Sequence, residues 1–363
     1  MMKLTRCEPV AMNDEPATDS LLRKLSVITL DDILRDINIS FISKEACDVA
    51  KKYGYMPYMI ERYFKMLGYE ETIQLLEAFE YFKKRPSILC NYLKLNCEAL
   101  LEKLNRLGFY LKRIEWCSYC YAVDSAPASP SIGSTHEYLK GYYYVYRDMA
   151  SLVPPLILNP TEGSKTLDMC AAPGGKAVHL LLLMRDSGLF IANDISTRRT
   201  ASLLSHFTRM GFKSYTILNE NGVELAKKLK LKFDFILVDA PCSAEGGIMF
   251  DPSRKYKTSL RDLAKLVEKE IKLLYVATLL VKEGGKIVYT TCSIAPEENE
   301  YVVTKVLQLN NDIIVKDPPF NFWSQGLSKF FNMEFDPSIR NCIRIWPQRH
   351  GMEGYFICLL SRE

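Results

Sequence analysis

Short apolar runs alternate with helical stretches through the second half of the chain, and this alternation limits the possible folds more than any other feature. The runs KTLDMC, GLFIAND and FDFILVDA are separated by stretches whose apolar residues recur at three- and four-residue spacing. Strands that alternate with helices build a parallel sheet covered by crossover helices. We therefore predict an α/β fold with a doubly wound domain over residues 147–363 of this 363-residue chain.

The first half of the chain has a different organisation. Residues 1–29 mix polar residues and proline without periodicity, which predicts a flexible tail. Residues 30–86 carry apolar residues at helical spacing, and Pro57 stands where a helix could begin. Residues 87–146 contain strand-like runs and one amphipathic helix, so we expect a small α+β unit in which FYLKRIEWCSYCYAV is one strand.

Composition excludes several classes of protein. No apolar run approaches the ~18 residues that a membrane span needs, and the N-terminus lacks the apolar stretch of a secretory signal. The eleven cysteines are scattered and odd in number, so we expect no fully paired disulfide framework and predict a cytoplasmic location. The net charge of +4 allows a polyanionic partner but does not require one.

Ligands of open parallel sheets bind beside the carboxyl ends of the strands, so the residues after each predicted strand are site candidates. Asp194 follows the second strand, about 20 residues after a glycine loop, where it can accept hydrogen bonds from a ribose or cap a helix. Asn221 follows the third strand and could reach an adenine. These loops together predict a site for a nucleoside with a small charged tail. The glycine loop after the first strand consists of Cys170, Ala171, Ala172, Pro173, Gly174, Gly175 and Lys176.

Two cysteines follow the fourth and fifth predicted strands. Cys242 lies in the motif DAPCS, which begins at Asp239, and Cys292 lies in TTCS. One such cysteine is often a core residue, but two in polar turns beside a nucleoside site favour catalysis, because a thiolate is a strong nucleophile. We expect a helix rich in acidic residues (Glu297, Glu298, Glu300) to follow, with its N-terminus near the Cys292 thiol.

The motifs LDMCAAPGGK, DAPCSAEG and TTCSIAPEENE resemble those of the Sun (Fmu-like) family of RNA 5-methylcytosine methyltransferases, which use S-adenosylmethionine. The resemblance extends from about Thr135 to the C-terminus and is weaker in the N-terminal half. It implies a Rossmann-like class I methyltransferase domain. It also implies that the helical region and the small α+β unit before that domain help to bind RNA.

The resemblance implies a role for each motif residue. Cys292 would add to C6 of the target cytosine so that C5 can accept the methyl group, and Cys242 would assist release of the product. Asp239 would bond the N3 edge of a base that is unpaired or flipped out. Asn221 stands where the family usually has aspartate. S-adenosylmethionine would be held by the glycine loop together with Asp194, Arg199, Asn221 and Asp239.

Three hypotheses about function remain open at this point. The leading one is an RNA cytosine-5 methyltransferase, monomeric, that acts on ribosomal or transfer RNA. A DNA cytosine-5 methyltransferase would use Cys242 as its nucleophile, and the second cysteine argues against it. A non-catalytic, RNA-binding ribosome assembly factor would keep the fold without turnover. We predict no metal, because Cys117 and Cys120 resemble only half of a zinc site.

Overall fold

The computed structural model describes residues 28–320 and 323–363, so all but the last two residues of the predicted tail lie outside the described residues. Four helices come first. Thr29 caps the first of them by accepting a backbone N–H bond, and Pro57 opens the third, where a helix needs no N–H donor. These helices are α1 (Leu30–Asp36), α2 (Lys44–Tyr53), α3 (Pro57–Leu67) and α4 (Tyr69–Glu80).

A small antiparallel sheet follows the helices. Its elements are β1 (Ser87–Cys90), α5 (Cys97–Arg106), β2 (Tyr110–Ile114), β3 (Cys117–Ser125), α6 (His136–Leu139) and β4 (Tyr143–Tyr146). The strand order is β2-β3-β1-β4, and α5 packs Leu100 and Leu104 against the sheet. The prediction of one strand for FYLKRIEWCSYCYAV is wrong. This run folds into the β2–β3 hairpin, which turns at Glu115 and Trp116, residues that carry no turn signal.

A large mixed sheet occupies the second half of the chain. Its strands are β5 (Lys165–Asp168), β6 (Leu189–Asn193), β7 (Tyr215–Leu218), β8 (Phe233–Asp239), β9 (Val281–Thr291), β10 (Ile313–Val315), β11 (Ser324–Gln325), β14 (Ile343–Ile345) and β15 (Tyr355–Arg362), while β12 (Lys329–Phe330) and β13 (Met333–Glu334) form a separate hairpin. The strand order is β7-β6-β5-β8-β9-β15-β14-β11, and β10 also pairs with β15. The first five strands of this order run parallel to one another, and β15 is antiparallel to β9.

Helices precede, connect and follow the parallel strands and cover both faces of the sheet. They are α7 (Val153–Leu158), α8 (Gly175–Leu183), α9 (Thr197–Met210), α10 (Leu225–Lys228), α11 (Arg254–Lys257), α12 (Leu260–Leu280), α13 (Glu300–Leu309) and α14 (Pro347–His350). Along β8, Ile236 and Val238 join the apolar cluster beneath α12, whereas Leu237 joins the cluster beneath α8 and α9. The predicted doubly wound α/β fold is confirmed.

The strand order reverses beside β5, because β6 lies on one side of it and β8 on the other. Ligands of doubly wound sheets bind at such a switch point, outside the carboxyl ends of the strands. The loops that follow β5, β6, β8 and β9 therefore meet at one edge of the sheet. All the motif residues singled out in the sequence lie in or beside these loops, except for Asn221 after β7.

Six of the cysteines in the described residues form three disulfides, whereas Cys47, Cys170, Cys242 and Cys292 are free. The disulfides join Cys90 to Cys97, Cys117 to Cys120 and Cys342 to Cys358. Within residues 28–320 and 323–363, no group of histidine, cysteine and acidic side chains is arranged to hold a metal ion. No helix in those ranges is long and apolar enough to cross a membrane.

Candidate active site

The glycine loop crosses the end of β5 and leads into α8. Gly174 has a φ of +118°, a conformation that other residues rarely adopt. A Cβ atom on Gly175 would lie 2.9 Å from Cε1 of Tyr146, whose hydroxyl donates to the Gly175 carbonyl at 2.5 Å. The backbone of this loop therefore has no room for larger side chains. The loop, called the cradle below, leads into the N-terminus of α8, where free N–H groups attract polar ligands.

Asp194 connects the glycine loop to the start of α9. Its carboxylate is buried and accepts the N–H of Ala172 at 3.2 Å and that of Ser196 at 2.9 Å. The Arg199 guanidinium lies 3.6 Å from the same carboxylate and also donates to the Ala172 carbonyl. Asp194 and Arg199, both predicted to bind the cofactor, thus also fix the conformation of the loop.

Two asparagines organise the third loop. Asn221 is exposed, and its side-chain oxygen accepts the N–H of Val223 at 3.2 Å, so it caps a short 3-10 turn. Asn193 was not singled out from the sequence. Its side-chain amide donates to the carbonyls of Met169 and Glu220, both at 3.0 Å, and so ties the loop after β5 to the loop after β7. The sequence signal for Asn193 was its place directly before Asp194.

Asp168 is an acidic residue at this edge of the sheet that was not singled out from the sequence. It is the last residue of β5 and is fully buried, and its Oδ1 accepts the N–H of Cys170 at 3.3 Å. The other oxygen, Oδ2, has no hydrogen-bond partner among the described residues. Burial, followed by the charge of Asp239, raises the pKa of Asp168 well above its usual range. A buried polar atom without a partner beside the cradle indicates a position where a ligand contributes the missing contact.

Lys176 joins the glycine loop to the end of β8. Its Nζ lies 2.9 Å from Asp239 Oδ2 and 3.3 Å from the hydroxyl of Tyr355 on β15. Burial opposes the charge of Lys176, but the Asp239 carboxylate and Tyr355 outweigh that effect and raise the pKa of Lys176 well above its usual range. Lys176 therefore stays positively charged and fixes the Asp239 carboxylate. Tyr355, which the sequence did not point to, completes this contact.

The two cysteines meet at the ends of β8 and β9. Their Sγ atoms are 3.4 Å apart. The hydrogen bond with Cys292, together with burial, raises the pKa of the Cys242 thiol well above its usual range, so Cys242 is the protonated partner. Lys176 and Arg147 both lie within electrostatic reach of the Cys292 sulfur. The site thus pairs a protonated thiol with a second sulfur that faces two cations.

The prediction of an acid-rich helix N-terminus near Cys292 is wrong. Helix α13 begins only at Glu300, and the segment from Cys292 to Asn299 is irregular. The acidic residues there are fully buried and face inwards. Glu297 pairs with Arg62, and Glu300 forms a two-fold ion pair with Arg344. Buried acids next to basic partners bind the segment to its neighbours, so they do not act as charges on an exposed helix end.

Lys255 and His350 make structural contacts. Lys255 donates to the Tyr53 carbonyl at 3.2 Å and pairs with Glu80, so it is tied to the N-terminal helices. His350 accepts the N–H of Trp346 at 2.8 Å within the turn of α14.

The fold and the site define a doubly wound α/β protein whose strand ends carry a glycine loop and two cysteines in contact. The glycine loop, Asp194 and the Lys176–Asp239 pair surround the switch point, and both sulfurs lie at the ends of the adjacent strands. The chain belongs to the 16S rRNA methyltransferase RsmB/F family, whose family model matches residues 155–361. The resemblance to RNA 5-methylcytosine methyltransferases is therefore confirmed.

Curated relatives cover most of this chain. It is 33% identical over 328 residues to the 28S rRNA (cytosine-C(5))-methyltransferase of Mus musculus. The aligned region covers 89% of this chain and 40% of the mouse protein. It is 30% identical over 284 residues to the ribosomal RNA small subunit methyltransferase F of Shewanella woodyi. The aligned region covers 77% of this chain and 57% of the Shewanella protein. The chain thus spans about half the length of these relatives.

Solved structures share the fold over nearly the whole chain. A methyltransferase homolog protein from Pyrococcus horikoshii superposes with a TM-score of 0.79 at 31% identity and covers 89% of this chain and 100% of that chain. NSun6 from the same organism superposes with a TM-score of 0.72 at 20% identity and covers 83% of this chain and 97% of that chain. At that identity the second likeness concerns the fold alone.

Proposed function

We propose that this protein transfers a methyl group from S-adenosylmethionine to C5 of a cytosine in ribosomal RNA. The observation that carries the proposal is the 3.4 Å contact between the sulfurs of Cys242 and Cys292 beside a nucleoside-type cradle. Cytosine C5 chemistry needs a nucleophile at C6 and a second group for release, and two thiols in contact supply both. The names of the mouse and Shewanella relatives favour ribosomal RNA over transfer RNA.

The residues around the glycine loop fit the cofactor. S-adenosylmethionine, when bound, supplies an electrophilic methyl group. The cradle leads into the N-terminus of α8, and Asp168 Oδ2 lacks a partner in the described residues. A nucleoside with a charged tail matches these features. The residues that would hold it are the loop from Cys170 to Lys176 together with Asp194, Arg199, Asn221 and Asp239.

The residues of this chain would divide the work on the base. The Cys292 thiolate adds to C6, and the electron density that this addition shifts towards C5 makes C5 able to accept a methyl group. Asp239, held by Lys176, bonds the N3 edge and stabilises the charge that develops on the ring. The target must be single-stranded or flipped out, because a stacked base cannot reach a half-buried thiol.

Release would depend on Cys242. Once C5 carries the methyl group, its proton passes to water, the C5–H electron pair re-forms the C5–C6 double bond, and the bond from C6 to sulfur breaks and returns Cys292 as a thiolate. Cys242 lies 3.4 Å from the sulfur that must leave and keeps its own proton. It is therefore placed to assist the departure of Cys292.

Methyl transfer from labelled S-adenosylmethionine into total RNA that lacks the modification tests the proposal. We expect label in 5-methylcytidine of the ribosomal size class, no label with Cys292→Ala, and a covalent protein–RNA adduct with Cys242→Ala. Cys47→Ala removes an exposed free thiol and serves as the matched control. If Cys242→Ala abolishes the adduct and Cys292→Ala retains it, the assigned roles are reversed, as a DNA-type mechanism requires.

The same assay separates the remaining alternatives. RNA binding that is unchanged in Cys292→Ala, without label from the wild type, would favour the non-catalytic assembly factor. A monomer and a cytoplasmic location stay predictions, and both cysteines must be reduced for the proposed reaction.

A further inference from the structure

The two cysteine loops are linked behind the sulfurs by a second set of contacts. Each cysteine is followed by a serine, and the hydroxyls of Ser243 and Ser293 are 3.2 Å apart. The loops are therefore paired twice, once through sulfur and once through oxygen. Both serines are buried, so water does not replace these contacts.

Glu298 holds the serine pair from below. Its Oε1 accepts the Ser243 N–H and its Oε2 accepts the Ser243 hydroxyl, both at 2.6 Å. The Ser293 hydroxyl also hydrogen-bonds the Glu298 carboxyl, so Glu298 contacts both serines. The backbone carbonyl of Glu298 in turn accepts the Tyr289 hydroxyl at 2.6 Å. Glu298, which follows Cys292 in the chain, thus binds the loop that contains Cys242.

The surroundings of Glu298 leave it few alternative positions. It is fully buried, and Glu270 on α12 is fully buried beside it. Burial and the neighbouring Glu298 raise the pKa of Glu270 well above its usual range, so Glu270 enters this pair as a neutral acid. Short hydrogen bonds in such buried surroundings are strong and directional, which suits a residue that sets a geometry.

We propose that Glu298 is a positioning residue that, through Ser243 and Ser293, sets the distance between the Cys242 and Cys292 sulfurs. This inference rests on the proposed function for its catalytic consequence. Addition of Cys292 to a base needs only one sulfur, whereas release needs both at their present separation. Loss of Glu298 therefore impairs release more than capture.

The first readout is independent of methyl transfer. Two thiols held in contact have a high effective concentration towards each other. The equilibrium with glutathione disulfide measures this concentration. In that reaction the two cysteines are oxidised to a disulfide, and glutathione disulfide takes up their protons and electrons and becomes two glutathione thiols. We expect Glu298→Ala to lower this effective concentration at least tenfold. Ser243→Ala removes one of the two bonds to Glu298, so we expect a smaller fall in the same direction; this variant decides the matter if Glu298→Ala does not fold.

The second readout is the fate of the RNA. We expect Glu298→Ala to accumulate the covalent RNA adduct during turnover, as a partial copy of Cys242→Ala, and to lower turnover at least tenfold. Glu102→Ala is the control, because Glu102 is an exposed acid on α5 of the small sheet. We expect it to change neither the thiol equilibrium nor the adduct fraction.

The outcomes separate the two proposals. An unchanged thiol equilibrium in both Glu298→Ala and Ser243→Ala would overturn the positioning role, whatever the activity. A lower effective concentration in an enzyme whose wild type transfers no methyl group would support the geometry and refute the proposed function. If Glu298→Ala lowers the effective thiol concentration but accumulates no more RNA adduct than the wild type, Glu298 does not act in the release step.

Discussion

Replacing the buried Arg62 with methionine should destabilise the protein by about 3–5 kcal/mol at pH 8, because it leaves two buried carboxylates without a counter-charge. The Arg62 guanidinium on α3 is fully buried. It donates to Glu245 and to Glu297, each at 3.0 Å. Methionine keeps most of the side-chain volume, so the loss reports the charges and not a cavity.

The loss should depend on pH in a defined direction. Burial raises the pKa of Glu297 even with Arg62 present, and removal of Arg62 takes away the main effect that lowers it. A carboxyl with a raised pKa in the folded state binds its proton there, so stability falls as pH rises through the range between its unfolded and folded values. A larger share of the orphaned Glu297 is neutral at pH 5.5 than at pH 8, so we expect a smaller loss at pH 5.5.

Urea unfolding followed by tryptophan fluorescence at both pH values measures this effect. The matched control is Arg35→Ala, which breaks an ion pair whose arginine side chain is 74% exposed, and we expect no measurable loss from it. A loss below about 1 kcal/mol for Arg62→Met at pH 8, or an equal loss at both pH values, would refute the role of Arg62 as a counter-charge.

Three further predictions concern Glu298 and two loops of the site. Burial raises the pKa of Glu298 to about 7, so the folded protein loses stability as this carboxyl ionises. Between pH 4.5 and pH 8, the free energy of unfolding of the wild type should fall by about 3 kcal/mol more than that of Glu298→Gln, as measured by urea unfolding. Gly175→Val should weaken S-adenosylmethionine binding at least tenfold by calorimetry, whereas Gly133→Ala, where a Cβ meets nothing within 4 Å, should not. Asn221→Asp keeps the capping oxygen and should change that affinity less than Asn221→Ala; the reverse order would exclude a role for the oxygen.

The sequence predicts most of what lies along the strand ends. Alternation of apolar runs with helical spacing predicts the parallel sheet, and in such a sheet the topology brings Asp194, Asp239, Cys242 and Cys292 to one edge without any knowledge of contacts. The catalytic and binding roles given to these residues stay predictions, but their place in the fold follows from local pattern alone.

Contacts between distant segments could not be predicted in this way. Arg62 meets Glu245 and Glu297 across 183 and 235 residues, and no local pattern relates these positions. The acids near α13 were misread because acidic residues before a helix are typical of exposed N-termini, and composition does not distinguish a buried acid from an exposed one. Asp168 and Tyr355 were missed because each lies within a run that already serves as a strand.

The packing of the N-terminal helices bears directly on the two-thiol centre. Met59 and Tyr63 of α3 share one apolar cluster with Met249 and Ile294, which lie in the segments after Cys242 and Cys292. Arg62 lies on the same helix and carries the charge that both segments need. A chain without α1 to α4 would therefore expose this cluster and leave buried acids unpaired in both cysteine loops. The sequence pattern changes near residue 86, where the N-terminal helices end and the small sheet begins. The packing around the two cysteines nevertheless includes those helices.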